Sequence, residues 1–262
     1  MILVADNLQI TNNTIHDAIR DMRVGPVIDM VKKIEKAGAH MIDINAGPLS
    51  KEGEKKMDFL VRTVQEVSNL PILLDTANPA AIHAGLRAGK NKMIINGFSL
   101  EPKKMEEILP LAVQYEVDII GYLLDARGHV PPDASGRLTV AVELYTEFQK
   151  TGLDNKHLII DPVIPPVIWQ DGHRQAMEVL EAIRMLKDVM GFDVKTIAGV
   201  SNLTTGAKGN PKRYLLEQAY VSMLSASGLD MALLNIFNQD TIQTAMACSA
   251  LTGERPFSWE DF

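Results

Sequence analysis

The chain has 262 residues, 46% of them hydrophobic and 23% charged, with a formal net charge of −7. That length is close to the ~250 residues of a single eight-stranded α/β barrel, and the composition supports a sizeable core, which excludes a disordered chain. The acidic balance, with no long basic patch interleaved with aromatics, argues against a nucleic-acid surface, and no apolar run reaches the roughly 18 residues of a membrane span.

The first strand is expected at residues 2–4. Thr11-Asn12-Asn13-Thr14 punctuates the chain before helices at 15–20 and 27–36. A strand ending in Asp43 and Asn45 follows, and Gly47-Pro48 turns the chain. Periodicity predicts a helix over 51–67, then a strand over 71–75. Asn78 as N-cap and Pro79 as first helical residue start a helix through residue 88. A strand at 92–96, a helix at 102–115 and a strand at 118–123 come next. The loop at 125–133 is polar and contains glycine and proline, as a rim loop or lid hinge would. After a helix at 138–149, the strand at 157–161 must stop, because Pro162, Pro165 and Pro166 cannot donate to a ladder. Strand seven ends in Gly199-Val200-Ser201-Asn202. A loop holding Thr204, Thr205, Gly206, Lys208, Gly209 and Asn210 leads to Pro211 and a further helix. A strand at 230–235 and a helix at 239–251 complete the chain.

Most of these apolar runs end in a carboxylate or carboxamide: Asp43 and Asn45, Asp75, Asn96, Asp161, Asn202 and Asn235. One such ending is weak evidence. Repeated on parallel neighbours, the polar tips share one rim. Eight strand–helix units with no composition shift between them predict a single (β/α)8 TIM barrel over 1–262, with its site at the C-terminal rim. The rival doubly wound sheet lacks a GxGxxG phosphate cradle after the first strand. Cys248 is the only cysteine, so no internal disulfide or cysteine-rich metal site is possible. The six histidines are scattered without HxxxH or HxH spacing, and no resident metal is expected. No signal-like segment precedes the first strand, so the cytoplasm is the expected compartment.

The segments Asp43-Ile44-Asn45-Ala46-Gly47-Pro48, Thr63-Val64-Gln65-Glu66-Val67-Ser68-Asn69, Leu74-Asp75-Thr76-Ala77-Asn78, Met93-Ile94-Ile95-Asn96, Ile160-Asp161-Pro162 and Gly199-Val200-Ser201-Asn202 carry a resemblance. Together, in order and over nearly the whole length, they resemble the methyltetrahydrofolate–corrinoid methyltransferases of the pterin-binding barrel superfamily. The resemblance implies a homodimeric barrel that moves a methyl group between N5 of tetrahydrofolate and cobalt. The cobalamin or other corrinoid would sit on a separate protein, since the chain lacks an Asp-x-His-x-x-Gly pattern. One segment departs: where the family has Gly-Glu-Arg after strand one, this chain has Ala5-Asp6-Asn7.

Within that reading, Asp75, Asn96 and Asp161 are expected to recognise the pterin, whose amine and ring N–H donors suit carboxylate acceptors. Asn202 is the expected catalytic group, since a carboxamide N–H can hydrogen-bond N5 as the C–N bond breaks. Asp43 is expected to assist protonation near N5 and Asn45 to surround the ring, with local capping as the alternative for either. Gly199 would let a flat ring approach the backbone, Ser201 would hydrogen-bond it, and Arg213 would meet the glutamate tail or face solvent. Two alternatives stand beside this reading. A dihydropteroate synthase would use Lys208 and Arg213 for a phosphate-bearing pterin, and a non-catalytic barrel would scaffold a corrinoid complex.

Overall fold

The computed structural model describes residues 1–47, 52–207, 209–253 and 259; the expected turn at Pro48, the helix start at Lys51 and Lys208 lie outside them. The strands are β1 (Ile2–Gln9), β2 (Met41–Asn45), β3 (Ile72–Asp75), β4 (Met93–Phe98), β5 (Asp118–Tyr122), β6 (Leu158–Asp161), β7 (Lys195–Gly199) and β8 (Met231–Leu234). They pair in sequence order, all parallel, and β8 closes on β1. The fold is the (β/α)8 barrel that the strand–helix alternation predicts.

Strand periodicity divides the core into two parts. Val4, Leu73, Ile94, Ile120, Ile159, Ile197 and Met231 point inward and form their own cluster. Their neighbours in sequence, among them Leu3, Ala5, Leu74, Ile95, Ile119 and Ile160, point outward and pack beneath the helices. Each fully buried aliphatic side chain contributes about 1.5–3 kcal/mol. The next inward position toward the C-terminal end is two residues further on. There the interior turns polar: Asp6 follows Val4, Asp75 follows Leu73, Asn96 follows Ile94, Tyr122 follows Ile120 and Asp161 follows Ile159.

The helices are α1 (Asn13–Arg20), α2 (Val24–Lys36), α3 (Gly53–Gln65), α4 (Pro79–Ala88), α5 (Pro102–Glu107), α6 (Leu109–Tyr115), α7 (Ala134–Gln149), α8 (Gly172–Met190), α9 (Arg213–Ala226) and α10 (Gln239–Leu251). Asn78 caps α4 as expected, its side-chain oxygen accepting from the Ala80 and Ala81 amides at 3.1 and 3.2 Å. Three elements differ from the sequence reading. The single helix expected over 102–115 breaks into α5 and α6 next to Pro110, which has no N–H to donate and crowds the preceding turn. β1 runs on to Gln9, past a register shift against β2 between Ala5 and Leu8. Lastly, α8 is the 19-residue crossover before β7, for which the sequence reading set no bounds.

Candidate functional site

At the C-terminal end of the strands the barrel opens into a bowl of about 220 Å³. It is lined by Asp6 and Gln9 of β1, Asp43 and Asn45 of β2, and Asp75 of β3. Asn96 of β4, Tyr122 of β5, Asp161 of β6 and the Gly199, Ser201 and Asn202 segment after β7 complete the wall, and Ile197 and Leu233 line it below. Eight of the nine residues given roles in the methyl-transfer reading therefore share one wall. Arg213 does not line it: its guanidinium lies 4.5 Å over the Tyr214 ring and donates to that phenol at 2.7 Å.

A larger concavity, about 570 Å³, opens at the opposite end of the barrel. There Asp118 already accepts from Lys92 at 2.6 Å and lies 2.8 Å from His157. The smaller bowl is the better site, because it holds a buried carboxylate with unused capacity. Asp43 is only 2% exposed, and its Oδ1 has no partner among the described residues.

Short hydrogen bonds orient the wall. The Asn45 amide donates to Asp75 Oδ2 at 2.6 Å, while Asn45 Oδ1 accepts the Gly47 N–H at 3.1 Å. Tyr122 donates its hydroxyl to Asn96 Oδ1 at 2.5 Å. That contact fixes the Asn96 amide with its N–H groups turned away from the phenol. The Val163 N–H donates to Asp161 Oδ1 at 2.7 Å, and the Ser201 hydroxyl donates to Asp6 Oδ2 at 3.2 Å. A tight helical turn over Val200–Thr204 carries Ser201 and Asn202 above the end of β7.

Crowding four carboxyls into a desolvated bowl disfavours their charged forms. Burial pushes Asp161 up to about 7, against the pull of the Val163 N–H and of Arg137. It pushes Asp75 up to about 6, against the Asn45 amide, and Asp6 up to about 6, against Ser201. Asp43 rises well above the usual carboxylate range, through burial first and then repulsion from Asp75 and Asp6; the Asn96 amide opposes this. The Tyr122 phenol is held neutral by burial and by the surrounding Asp75, Asp161 and Asp43. No lysine or arginine lines the bowl among the described residues.

Such a wall offers acceptors at several points and a few neutral donors. It suits a flat heterocycle rich in N–H groups. A family model described as "Pterin binding enzyme" matches residues 7–235. The chain belongs to the pterin-binding enzyme family. The methylcorrinoid:tetrahydrofolate methyltransferase of Eubacterium limosum is 22% identical over 255 residues, covering 97% of this chain and 92% of that one. The methionine synthase of Mycobacterium tuberculosis is 25% identical over 217 residues, covering 79% of this chain but 18% of that much longer one. Among solved structures, dihydropteroate synthase from Xanthomonas albilineans, in complex with 7,8-dihydropteroate, superposes with a TM-score of 0.72 at 17% identity. That match covers 96% of this chain and 94% of that one. The same enzyme from Stenotrophomonas maltophilia gives 0.68 at 18% identity, covering 88% and 89%. At such identities these structures share the fold.

In this pterin-binding barrel the departure at Asp6-Asn7 has a local explanation. Asn7 does not line the bowl. Its amide donates to Asn235 Oδ1 at 2.7 Å, and its Oδ1 accepts the Ile236 N–H at 2.9 Å, stitching β1 to the end of β8. Asn235 is thereby committed to structure, since it also accepts the Phe237 N–H at 3.0 Å. Gln9 and Tyr122 are polar wall residues that motif reading missed, and Asp6 entered it only as the departure after strand one. The signal was present: Asp6 and Tyr122 stand two residues beyond inward Val4 and Ile120. Among the described residues no helix is long and apolar enough to cross a membrane, and no group of three His, Cys, Asp or Glu side chains is arranged to hold a metal ion.

Proposed function

We propose that this barrel transfers a methyl group between N5 of tetrahydrofolate and the cobalt of a corrinoid carried by a separate protein. The observation that carries the reading is a wall of four carboxyls and four carboxamides with no cation among the described residues. The pterin head supplies the donors that such a wall accepts. The bowl, at about 220 Å³, is smaller than the ~300 Å³ at which drug-sized pockets begin. It therefore suits the bicyclic head and leaves the aminobenzoyl-glutamate tail outside. Sequence similarity to a methylcorrinoid:tetrahydrofolate methyltransferase along almost the whole of both chains supports the same reading.

Asp75, Asn96 and Asp161 grip the pterin edge, with Asn45 and Tyr122 holding two of them in place. Ser201 and Asn202 stand at the exposed mouth, on the side from which a protein-bound cobalt must approach. Transfer breaks the N5–methyl bond, forms the cobalt–methyl bond and leaves the electron pair on N5. The Asn202 N–H donates to N5 as that pair develops. Asp43, whose burial beside Asp75 and Asp6 favours the protonated form, serves as the nearby proton reserve. The reverse reaction passes through the same arrangement, so the wall does not set the direction.

A second reading is condensation of a pterin pyrophosphate with an aminobenzoate. The structural matches, which are dihydropteroate synthases, favour it. An acidic wall works against it, because a departing pyrophosphate needs cations. Incubation with methyltetrahydrofolate and a reduced corrinoid protein separates the two. Methyl-cobalt appears in the visible spectrum under the first reading. Dihydropteroate appears from hydroxymethyl-dihydropterin pyrophosphate and 4-aminobenzoate under the second. Pterin binding with neither product makes the chain a scaffold. We further propose a homodimer with both mouths open, on the family resemblance; sedimentation showing a monomer rejects it.

A further inference from the structure

We propose that Arg137 is a positioning residue for Asp161: acting through the turn at Pro162 and Val163, it sets which carboxylate oxygen faces a ligand in the bowl. The inference rests on Asp161 serving as a ligand acceptor there.

Arg137 lies in the first turn of α7 and is fully buried, at 0% exposure. A guanidinium withdrawn from water needs partners. Its Nη1 donates to two consecutive carbonyls, that of Pro162 and that of Val163, the latter at 3.1 Å. Nε and Nη2 have no partner among the described residues. An arginine whose hydrogen bonds all go to one turn is holding that turn.

The turn needs holding. Val163 has φ of +60°, a left-handed conformation that a β-branched residue rarely adopts. In that conformation its N–H points back to Asp161 Oδ1 at 2.7 Å. Oδ2 is then the oxygen left for a ligand. The guanidinium also acts directly, drawing Asp161 toward its charged form against burial. The other groups that face Arg137 are Tyr220 of α9, Glu178 of α8 and Asp133 at the N-cap of α7. The Tyr220 hydroxyl donates to the Ala176 carbonyl, and Glu178 accepts the Ala134 N–H, so both are already occupied.

The test begins without ligand. Carboxyl-labelled aspartate and carbon NMR give the Asp161 titration midpoint, with the signal assigned through Asp161→Asn. In Arg137→Met the midpoint is expected to rise by at least about half a pH unit, because the cation and the ordered Val163 N–H both favour the carboxylate. Arg137→Lys keeps a cation without the planar fork and should fall between the two. Methyltetrahydrofolate affinity by calorimetry should drop at least ~2-fold near pH 7 in Arg137→Met, with the deficit shrinking as pH passes the raised midpoint. A purely structural Arg137 would lower thermal stability, leave the midpoint in place and weaken binding equally at every pH. That result overturns the proposal. If the Met variant does not fold, the Lys variant decides, and an unmoved midpoint refutes the role. If the wild-type chain binds no pterin, the proposed function fails, while the NMR midpoint still decides what Arg137 does.

Discussion

The Asn202 carboxamide rests against Gly199: a methyl group at residue 199 would stand 3.0 Å from Asn202 Nδ2 and 3.4 Å from Cγ. The missing side chain thus creates the space into which the amide folds. Gly199→Ala should be tolerated by the fold, because what it meets is the end of an exposed side chain. It should still displace the amide by a few tenths of an ångström or swing it outward. The expected result is a thermal midpoint near wild type with methyl transfer slowed ~10-fold or more, since misplacing a reacting group costs about that much. Transfer at the wild-type rate would show that the contact has no catalytic meaning.

Asn202→Ala removes the proposed donor outright. Its contact strengthens as the electron pair develops on N5, so the loss should fall on the transition state. Single-turnover transfer at saturating methyltetrahydrofolate should slow by the equivalent of roughly 2–4 kcal/mol, with the dissociation constant nearly unchanged. A weakened affinity with an unchanged rate for the bound complex would assign Asn202 to ground-state binding.

The barrel and most of its wall were legible in the sequence for one physical reason. A parallel strand in a closed barrel reads as a short apolar run, and its last inward residue is free to be polar. Asp75, Asn96 and Asp161 sit at that position, so strand endings reveal them. Asp6 ends the apolar run at 2–5 in the same way but stood out in the sequence only as a departure from the family segment, while Gln9 was hidden because β1 extends past that run through a register shift. Tyr122 was hidden because an aromatic residue inside a strand reads as core. Its polar role depends on a hydroxyl reaching Asn96 on the neighbouring strand. Arg137 carries no motif at all: a charged residue early in a helix reads as solvent-facing until its burial is seen.

Tyr122→Phe tests the pairing with Asn96. The phenol donates to Asn96 Oδ1, which leaves the amide N–H groups free to serve Asp43 and the bowl. Without it, a carboxamide that is 7% exposed loses the donor to its oxygen and can rotate. Pterin affinity should fall by the equivalent of about 1–3 kcal/mol, the cost of leaving a buried polar group unpaired. Calorimetry showing unchanged affinity would place Asn96 outside pterin recognition.

Asp161 ties ligand recognition to stability. Its folded-state value is near 7 against an ordinary 3.8, because burial penalises the carboxylate. A carboxyl raised on folding favours the native state while it is protonated in both states. That contribution is fully present below about pH 4 and is lost as pH rises toward 7. Asp161→Asn removes the titration and keeps an acceptor for the Val163 N–H. The ligand-free variant should therefore match wild type near pH 4. Above pH 7 it should be more stable by on the order of 1–3 kcal/mol, at roughly 2–4 °C of thermal midpoint for each kcal/mol. It should also bind methyltetrahydrofolate poorly, because an amide presents an N–H where the pterin needs an acceptor. Thermal melts of both proteins at pH 5 and pH 8 check the sign. A stability difference that does not grow with pH would mean that Asp161 is ionised in the folded bowl at no cost.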